Sequence, residues 1–206
     1  MDQVLLVNEL KFQDKGPYSF RLFQQDCIGI TGNSGIGKTQ LFRAIVDLIP
    51  SEGEIFCKGV SQREIDAPRW RSMITMVPAE SIWWHDRVGE HFPVTDEHYR
   101  ELRLWLEQLG FNSDVLEWQV TRLSTGEKQR LALLRSLSHS PVILLLDEPT
   151  SSLDSHHTDL VESFIIGYSR RFGVPVLWIS HDENQMERVA TRKFVMEKHS
   201  LTEVTE

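Results

Sequence analysis

Apolar and polar residues follow two rhythms along this chain, one of period two and one close to 3.6. Short β-type runs come first, at 4–7, 20–23 and 27–30, separated by the turn residues Asp14, Gly16 and Pro17. The third run leads straight into glycines. Leu41, Phe42, Ile45, Val46 and Ile49 then recur at helical spacing until Pro50 stops them. Two more strands, over 54–57 and 73–77, bracket a polar segment. Between about 79 and 122 the character changes, and four of the six tryptophans fall there: Trp83, Trp84, Trp105 and Trp118. Within that stretch Tyr99, Leu102, Trp105, Leu106 and Leu109 form a stripe at steps of three and four, with Thr95 placed to cap the helix and Gly110 to end it. The pattern predicts a helical insert.

Alternation then resumes. A helix is expected over 126–138, a strand over 142–146, a helix over 156–172 stopped by Gly173, a strand over 176–179, a short helix over 184–190 and a last strand over 193–196. The runs VILLL and PVLWI suit strands covered on both faces by crossover helices, which makes the fold class α/β. With no linker long enough to separate independent domains, 1–206 reads as one domain. Its core is 1–78 and 123–206, and a helical lobe is inserted at about 79–122.

Composition narrows the classes. The chain has 206 residues, 40% of them hydrophobic, and a formal net charge of −8, an ordinary globular mixture that excludes a disordered or fibrous protein. No run approaches the ~18–20 apolar residues of a spanning helix. The first residues lack the basic segment and long apolar core of a signal peptide, so a soluble, cytoplasmic chain without a targeting segment is expected. A pI near 5.5 argues against broad attraction to nucleic acid or anionic lipid, so work at a membrane would require another protein to hold the chain there. Cys27 and Cys57 lack metal spacing and read as reduced core thiols.

The glycines after the third strand carry chemistry. Gly32, Asn33, Ser34, Gly35, Ile36, Gly37, Lys38 and Thr39 satisfy GxxxxGK followed by Ser or Thr, between a strand and a helix. Such a loop turns successive backbone N–H groups toward phosphate oxygens, and the helix behind it adds the positive end of its dipole. Lys38 supplies a cation for the β and γ phosphates, and the Thr39 hydroxyl is a hard donor suited to Mg²⁺. Gln40 follows as part of the same binding set. The strand at 142–146 delivers Asp147 and Glu148 at its C-terminal end, where ligands of open α/β sheets bind. Asp147 suits Mg²⁺ or one of its waters, and Glu148 suits the polarising of an attacking water. Taken alone, the pair could instead cap the next helix.

Leu123-Ser124-Thr125-Gly126-Glu127, just upstream of that strand, resembles the signature motif of ATP-binding cassette (ABC) ATPases, usually LSGGQ. Ser151-Ser152-Leu153-Asp154 is similar to their D-loop, and His181 in WISHD to their switch histidine. The likeness runs in order from Cys27 to about Asp182 and extends to small bacterial cassettes, including iron- and metal-export types. It implies a P-loop NTPase fold with a mostly parallel core sheet, N-terminal antiparallel strands and the helical lobe. It also implies two cassettes paired head to tail, a homodimer formed on binding ATP, with Ser124 and the N–H of Gly126 reaching the γ phosphate held by the partner. Glu148 would be the general base, His181 and Lys38 would complete the catalytic set, Asp154 would communicate between the two sites, and Phe12 would stack on adenine or else lie in the core.

There are departures. The glutamine of the family's Q-loop is Ala79 here, with Glu80 beside it; Gln40 replaces a second hydroxyl residue and Thr125 the first signature glycine. The resemblance implies an ATPase subunit that powers a separate integral membrane permease, held at the inner face of the membrane through that permease, with Trp83 and Trp84 suited to the contact and no nucleic acid as partner. The alternative is a soluble, non-transport ABC ATPase acting on nucleic acid or the ribosome. Those usually carry a long coiled coil, a second cassette or basic surfaces, none of which appears in these residues.

Overall fold

The structure, a computed structural model, describes residues 2–93 and 96–204, with the side chains of 96–99 outside that description. Thr95 and the side chain of Tyr99, both assigned to the insert's helix above, therefore lie outside the described residues. In chain order the elements are β1 (Gln3–Phe12), β2 (Lys15–Phe23), β3 (Cys27–Thr31), α1 (Lys38–Ile45), β4 (Glu52–Cys57), β5 (Val60–Ser61), α2 (Ala67–Met73), β6 (Ile74–Val77), α3 (Asp96–Gln108), α4 (Thr125–Leu137), β7 (Ile143–Asp147), α5 (Ser155–Phe172), β8 (Val176–Ile179), α6 (Glu183–Val189), β9 (Arg192–Met196) and β10 (Leu201–Val204). They form two compact units. One holds the chain up to Met76, Pro141–Glu148 and Tyr168 onward; the other holds Val77–Ser140 and Pro149–Gly167.

The first unit contains an antiparallel sheet in the order β2-β1-β4-β5 and a six-stranded sheet in the order β10-β9-β3-β8-β7-β6. Along β2 the buried residues alternate, Tyr18, Phe20 and Leu22 pointing in, as period-two patterning requires. The central strands obey the other rule. β3 pairs parallel with β8 and β9, β8 pairs parallel with β7, and every residue of β7 and β8 is buried, because residues on both faces of these strands are covered. Cys27 and Cys57 are free and buried, and burial pushes their thiols up to about 12 and about 11.

Three features differ from the sequence expectation. α1 ends at Ile45 rather than running to Pro50, because Asp47 takes a left-handed φ of 59° that turns the chain. The polar segment before β6 contains α2, opened by Asp66, whose carboxylate accepts the N–H of Arg69, with Pro68 in the first turn. Its one buried residue, Trp70, lies fully in the core and donates its indole N–H to the carbonyl of Ile45 at 2.8 Å. β5 and β10 are short edge strands without a distinct pattern of their own.

In the second unit, α3 buries Leu102, Trp105 and Leu106, with Leu109 just beyond, and Gly110 ends it at φ +78°. The unit extends past the 79–122 stretch to take in α4 and α5 as far as Gly167. Trp105 meets Phe164 of α5 edge-on at 6.4 Å, and the Arg130 guanidinium of α4 lies 4.4 Å over Phe111 while donating to the carbonyl of Leu109. That last bond satisfies one of the orphan carbonyls at the end of α3.

Candidate functional site

Between β3 and α1 the backbone bends in a way that side chains would obstruct. Gly32 has φ +143°, and a Cβ there would lie 2.5 Å from the carbonyl oxygen of Met196; Gly37 caps α1 at φ +111°, with the Lys15 side chain 2.7 Å from where its Cβ would be. At Gly32 the obstacle is backbone that cannot yield, and at both positions the positive φ strains any residue with a Cβ. Ser34 and Gly35 form the exposed crest of the loop, and Ile36 turns back to pack on the core. Lys38, only 6% exposed, folds its ammonium over the loop, donating to the carbonyls of Gly32 at 2.7 Å and Asn33 at 3.3 Å. Burial lowers its affinity for its proton, and the carboxylates of Glu148 and Asp147 oppose that shift. A cation so placed exchanges two carbonyls for an anion at low cost.

The carboxylate strand reaches the same loop. Thr39, in the first turn of α1, donates its hydroxyl to Asp147 Oδ2 at 2.9 Å, which brings two hard oxygen donors together beside the phosphate loop. Asp147 is buried, and loss of water pushes its carboxyl up despite the opposing Thr39 bond and the neighbouring Arg43, Lys38 and His181. Glu148 follows at the strand's end with φ +50°, uncommon for a residue with a Cβ, while its N–H donates to the carbonyl of Ile179 at 3.0 Å. That turn aims its carboxyl back toward β8, where Glu148 Oε1 lies 3.4 Å from Nε2 of the half-exposed His181. Burial raises the Glu148 carboxyl above the ordinary glutamate range, Asp147 adds to this, and His181 and Lys38 oppose it.

Lys38, Thr39, Asp147, Glu148 and His181 are thus gathered in the first unit. Gln40 is half-buried on the same helix. Phe12 is different. The residue is 2% exposed and packs against Tyr18 at 5.7 Å within the core, which favours the core reading of the two.

Ser124 and Gly126 belong to the second unit. Ser124 caps α4: its hydroxyl accepts the N–H of Glu127, and the Glu127 carboxylate accepts the N–H and the hydroxyl of Ser124, both at 2.8 Å. A Cβ at Gly126 would lie 3.0 Å from the Leu153 side chain and 3.1 Å from the carbonyl of Ser152, so these neighbours would have to give by a few tenths of an ångström. Asp154 accepts the backbone N–H of His157 at 2.9 Å and pairs with its ring at 2.8 Å, which holds the acid below the usual carboxylate range. Ala79 is half-buried and Glu80 exposed. Glu127, the last residue of the signature-like run, thus closes a capping box with Ser124, the Ser-x-x-Glu pattern before an apolar run.

Residues 16–151, more than half of the chain, match the model of the ABC transporter family. The chain belongs to that family. Among curated members it is 29% identical over 178 residues to the probable iron export ATP-binding protein FetA of Escherichia coli K12, covering 83% of this cassette and 79% of FetA. It is 34% identical to the molybdenum import ATP-binding protein ModC of Paramagnetospirillum magneticum over 81% of this cassette, which spans 49% of ModC. Among solved structures, an ATP-binding cassette in a dimeric, post-hydrolysis state with ADP and Pi superposes with a TM-score of 0.82 at 20% identity, covering 98% of both chains. That likeness shows the fold, including the two sheets and the helical elements of the cassette.

Proposed function

We propose that this cassette binds and hydrolyses ATP as the energy-coupling subunit of a membrane transporter whose permease is a separate chain. The observation that carries the reading is the convergence, within one unit, of the Thr39–Asp147 hydrogen bond with the Glu148–His181 contact at 3.4 Å, beside the loop that buries Lys38. A phosphate loop alone would only bind; a carboxylate held above its ordinary range next to an imidazole can also take a proton from water.

The geometry supports the following roles. The loop amides and the start of α1 receive the phosphates, and Lys38 leaves the Gly32 and Asn33 carbonyls for the β and γ oxygens. Thr39 and Asp147 would hold Mg²⁺, since a hydroxyl and a carboxylate stand side by side as the hard oxygen donors that ion takes. That ion, when bound, offsets charge on the phosphates. Glu148 accepts the proton of the attacking water as the Pγ–O bond to ADP breaks, and His181 reaches the γ phosphate and orients Glu148. Ser124 and the N–H of Gly126, at the start of α4, close over the γ phosphate bound by a second copy, so ATP joins two cassettes. The relatives support transport as the work performed, since FetA is named for iron export and ModC for molybdenum import.

Among the described residues no helix is long and apolar enough to cross a membrane; the transporter reading itself calls for contact with the permease. Ile82 and Trp84, 74% and 63% exposed, are the surface offered for it. The test is capture of the full chain from detergent-solubilised membranes, in parallel with an Ile82→Ser/Trp84→Ala variant. An integral membrane protein recovered with the wild type and lost with the variant is expected. Recovery of ribosomal components or nucleic acid would overturn the transport reading.

A further inference from the structure

The loop that presents Ile82 and Trp84 has no helix or strand over 81–86, yet it is tied down by one buried side chain. His91, 6% exposed, ends a short 3₁₀ turn over Val88–His91. Its Nε2 accepts two backbone N–H groups, those of Trp84 and His85, each at 3.1 Å. Its Nδ1 lies 3.1 Å from the carbonyl oxygen of Arg87. A carbonyl can only accept, so Nδ1 carries the hydrogen and Nε2 carries the lone pair. One neutral tautomer is therefore selected by its partners.

The imidazole also meets the edges or faces of three rings, Trp83 at 4.7 Å, Trp84 at 4.8 Å and His85 at 5.0 Å. The Arg135 guanidinium of α4 also stands 4.7 Å over both Trp83 and Trp84 and donates to the carbonyl of Ile82 at 2.9 Å. Each tryptophan thus touches both an uncharged ring and a cation. We propose that His91 is the positioning residue of this docking loop: only its neutral Nδ1–H ring keeps Trp83 and Trp84 in place around Arg135, and protonation releases them.

A proton on Nε2 would set an N–H against two N–H donors, with no acceptor for either amide. The ionisable neighbours are His85 and Asp86 on the loop, Arg87 and Glu90 on His91's own turn, Asp114 and Glu117 on the turn over Ser113–Glu117, and Arg135 on α4. Glu117 is engaged by Arg87 at 3.3 Å, and Glu90 accepts the N–H of Arg87 at 3.2 Å. Burial lowers the proton affinity of His91, Arg135 and His85 act in the same direction, and its hydrogen bonds to the turn's carbonyls oppose them. Release therefore comes on acidification to below the ordinary histidine range.

The idea that this loop docks a permease rests on the transporter reading; the clamp does not, and it is read on the isolated full chain. Tryptophan emission and its quenching by acrylamide are followed from pH 8 to pH 5. A sigmoidal transition is expected in the wild type, with a midpoint below the ordinary 6.5 of histidine. In His91→Gln, which keeps an acceptor but cannot titrate, the transition should vanish and emission should stay near the neutral-pH wild type. His91→Ala should resemble the acid form at every pH. His85→Gln should leave the transition in place. A transition that survives in His91→Gln, one that disappears in His85→Gln, or a wild type without any transition overturns the proposal. Nucleotide affinity should change less than about twofold in the His91 variants, which separates loss of the clamp from loss of the fold.

Discussion

Thr39 and Asp147 are separated by 108 positions in the chain and joined by a 2.9 Å hydrogen bond. The first turn of α1 and the end of β7 are therefore registered before any nucleotide arrives. Each residue gains when the pair is formed, since Asp147 is buried and a buried carboxylate without a donor is costly.

Removing the hydroxyl tests this pairing. Thr39→Ala should lose a bond worth about 0.5–1.5 kcal/mol of stability and, more tellingly, should abolish the gain in ATP affinity that Mg²⁺ brings while leaving metal-free ATP binding nearly unchanged. Titration of a fluorescent ATP analogue with and without Mg²⁺ measures both. An undiminished Mg²⁺ effect in Thr39→Ala would remove this oxygen from the metal site.

The pH dependence of turnover has a defined sign. As the proposed base Glu148 would act only when ionised, and burial raises its carboxyl above the ordinary 4.5. Activity should therefore fall, as pH is lowered, at a higher pH than an unperturbed glutamate would give. The acid limb of kcat against pH locates it. A limb at or below 4.5 would show that Glu148 is not the group being titrated.

Phe12 should prove structural. Phe12→Ala should cost about 3–5 kcal/mol of stability, seen as a lower urea midpoint, with ATP affinity per folded molecule changed less than about threefold. A tenfold loss of affinity with an unchanged midpoint would restore the stacking role.

Ser124→Arg places a long cation at the start of α4. It should leave ATP binding to the monomer intact and prevent ATP-dependent pairing, measured by light scattering with Glu148→Gln in the background to retain nucleotide. Dimers forming normally would count against closure of the site by a second copy.

Much of this architecture was legible in the residues, and for identifiable reasons. The strands β3, β7 and β8 are short apolar runs bounded by turn residues, and α4 and α5 are periodic over several turns, so local pattern and tertiary burial agree. The glycines at 32 and 37 were legible because both positions take a positive φ, and at Gly32 the Met196 carbonyl leaves no space for a Cβ. α2 was hidden because only Trp70 among its residues is buried, leaving no stripe to detect, although Asp66 and Pro68 mark its start. The end of α1 was hidden because Val46 and Ile49 continue the helical spacing after Asp47 has turned the chain. Outside the candidate site, the part played by His91 has no periodic signal in its polar stretch, since its two backbone partners are set by the fold of the loop alone. Phe12 could not be assigned from sequence because a strand aromatic serves equally as core or as platform, and packing against Tyr18 is a tertiary fact.

The central claim is that Glu148 is the base of an ATP-hydrolysing site. Single-turnover hydrolysis of bound ATP by purified Glu148→Gln, beside the wild type, tests it most directly. A slowing of about 10²–10⁴-fold with ATP still bound and the paired form accumulating is the result expected. Wild-type turnover in Glu148→Gln would contradict it.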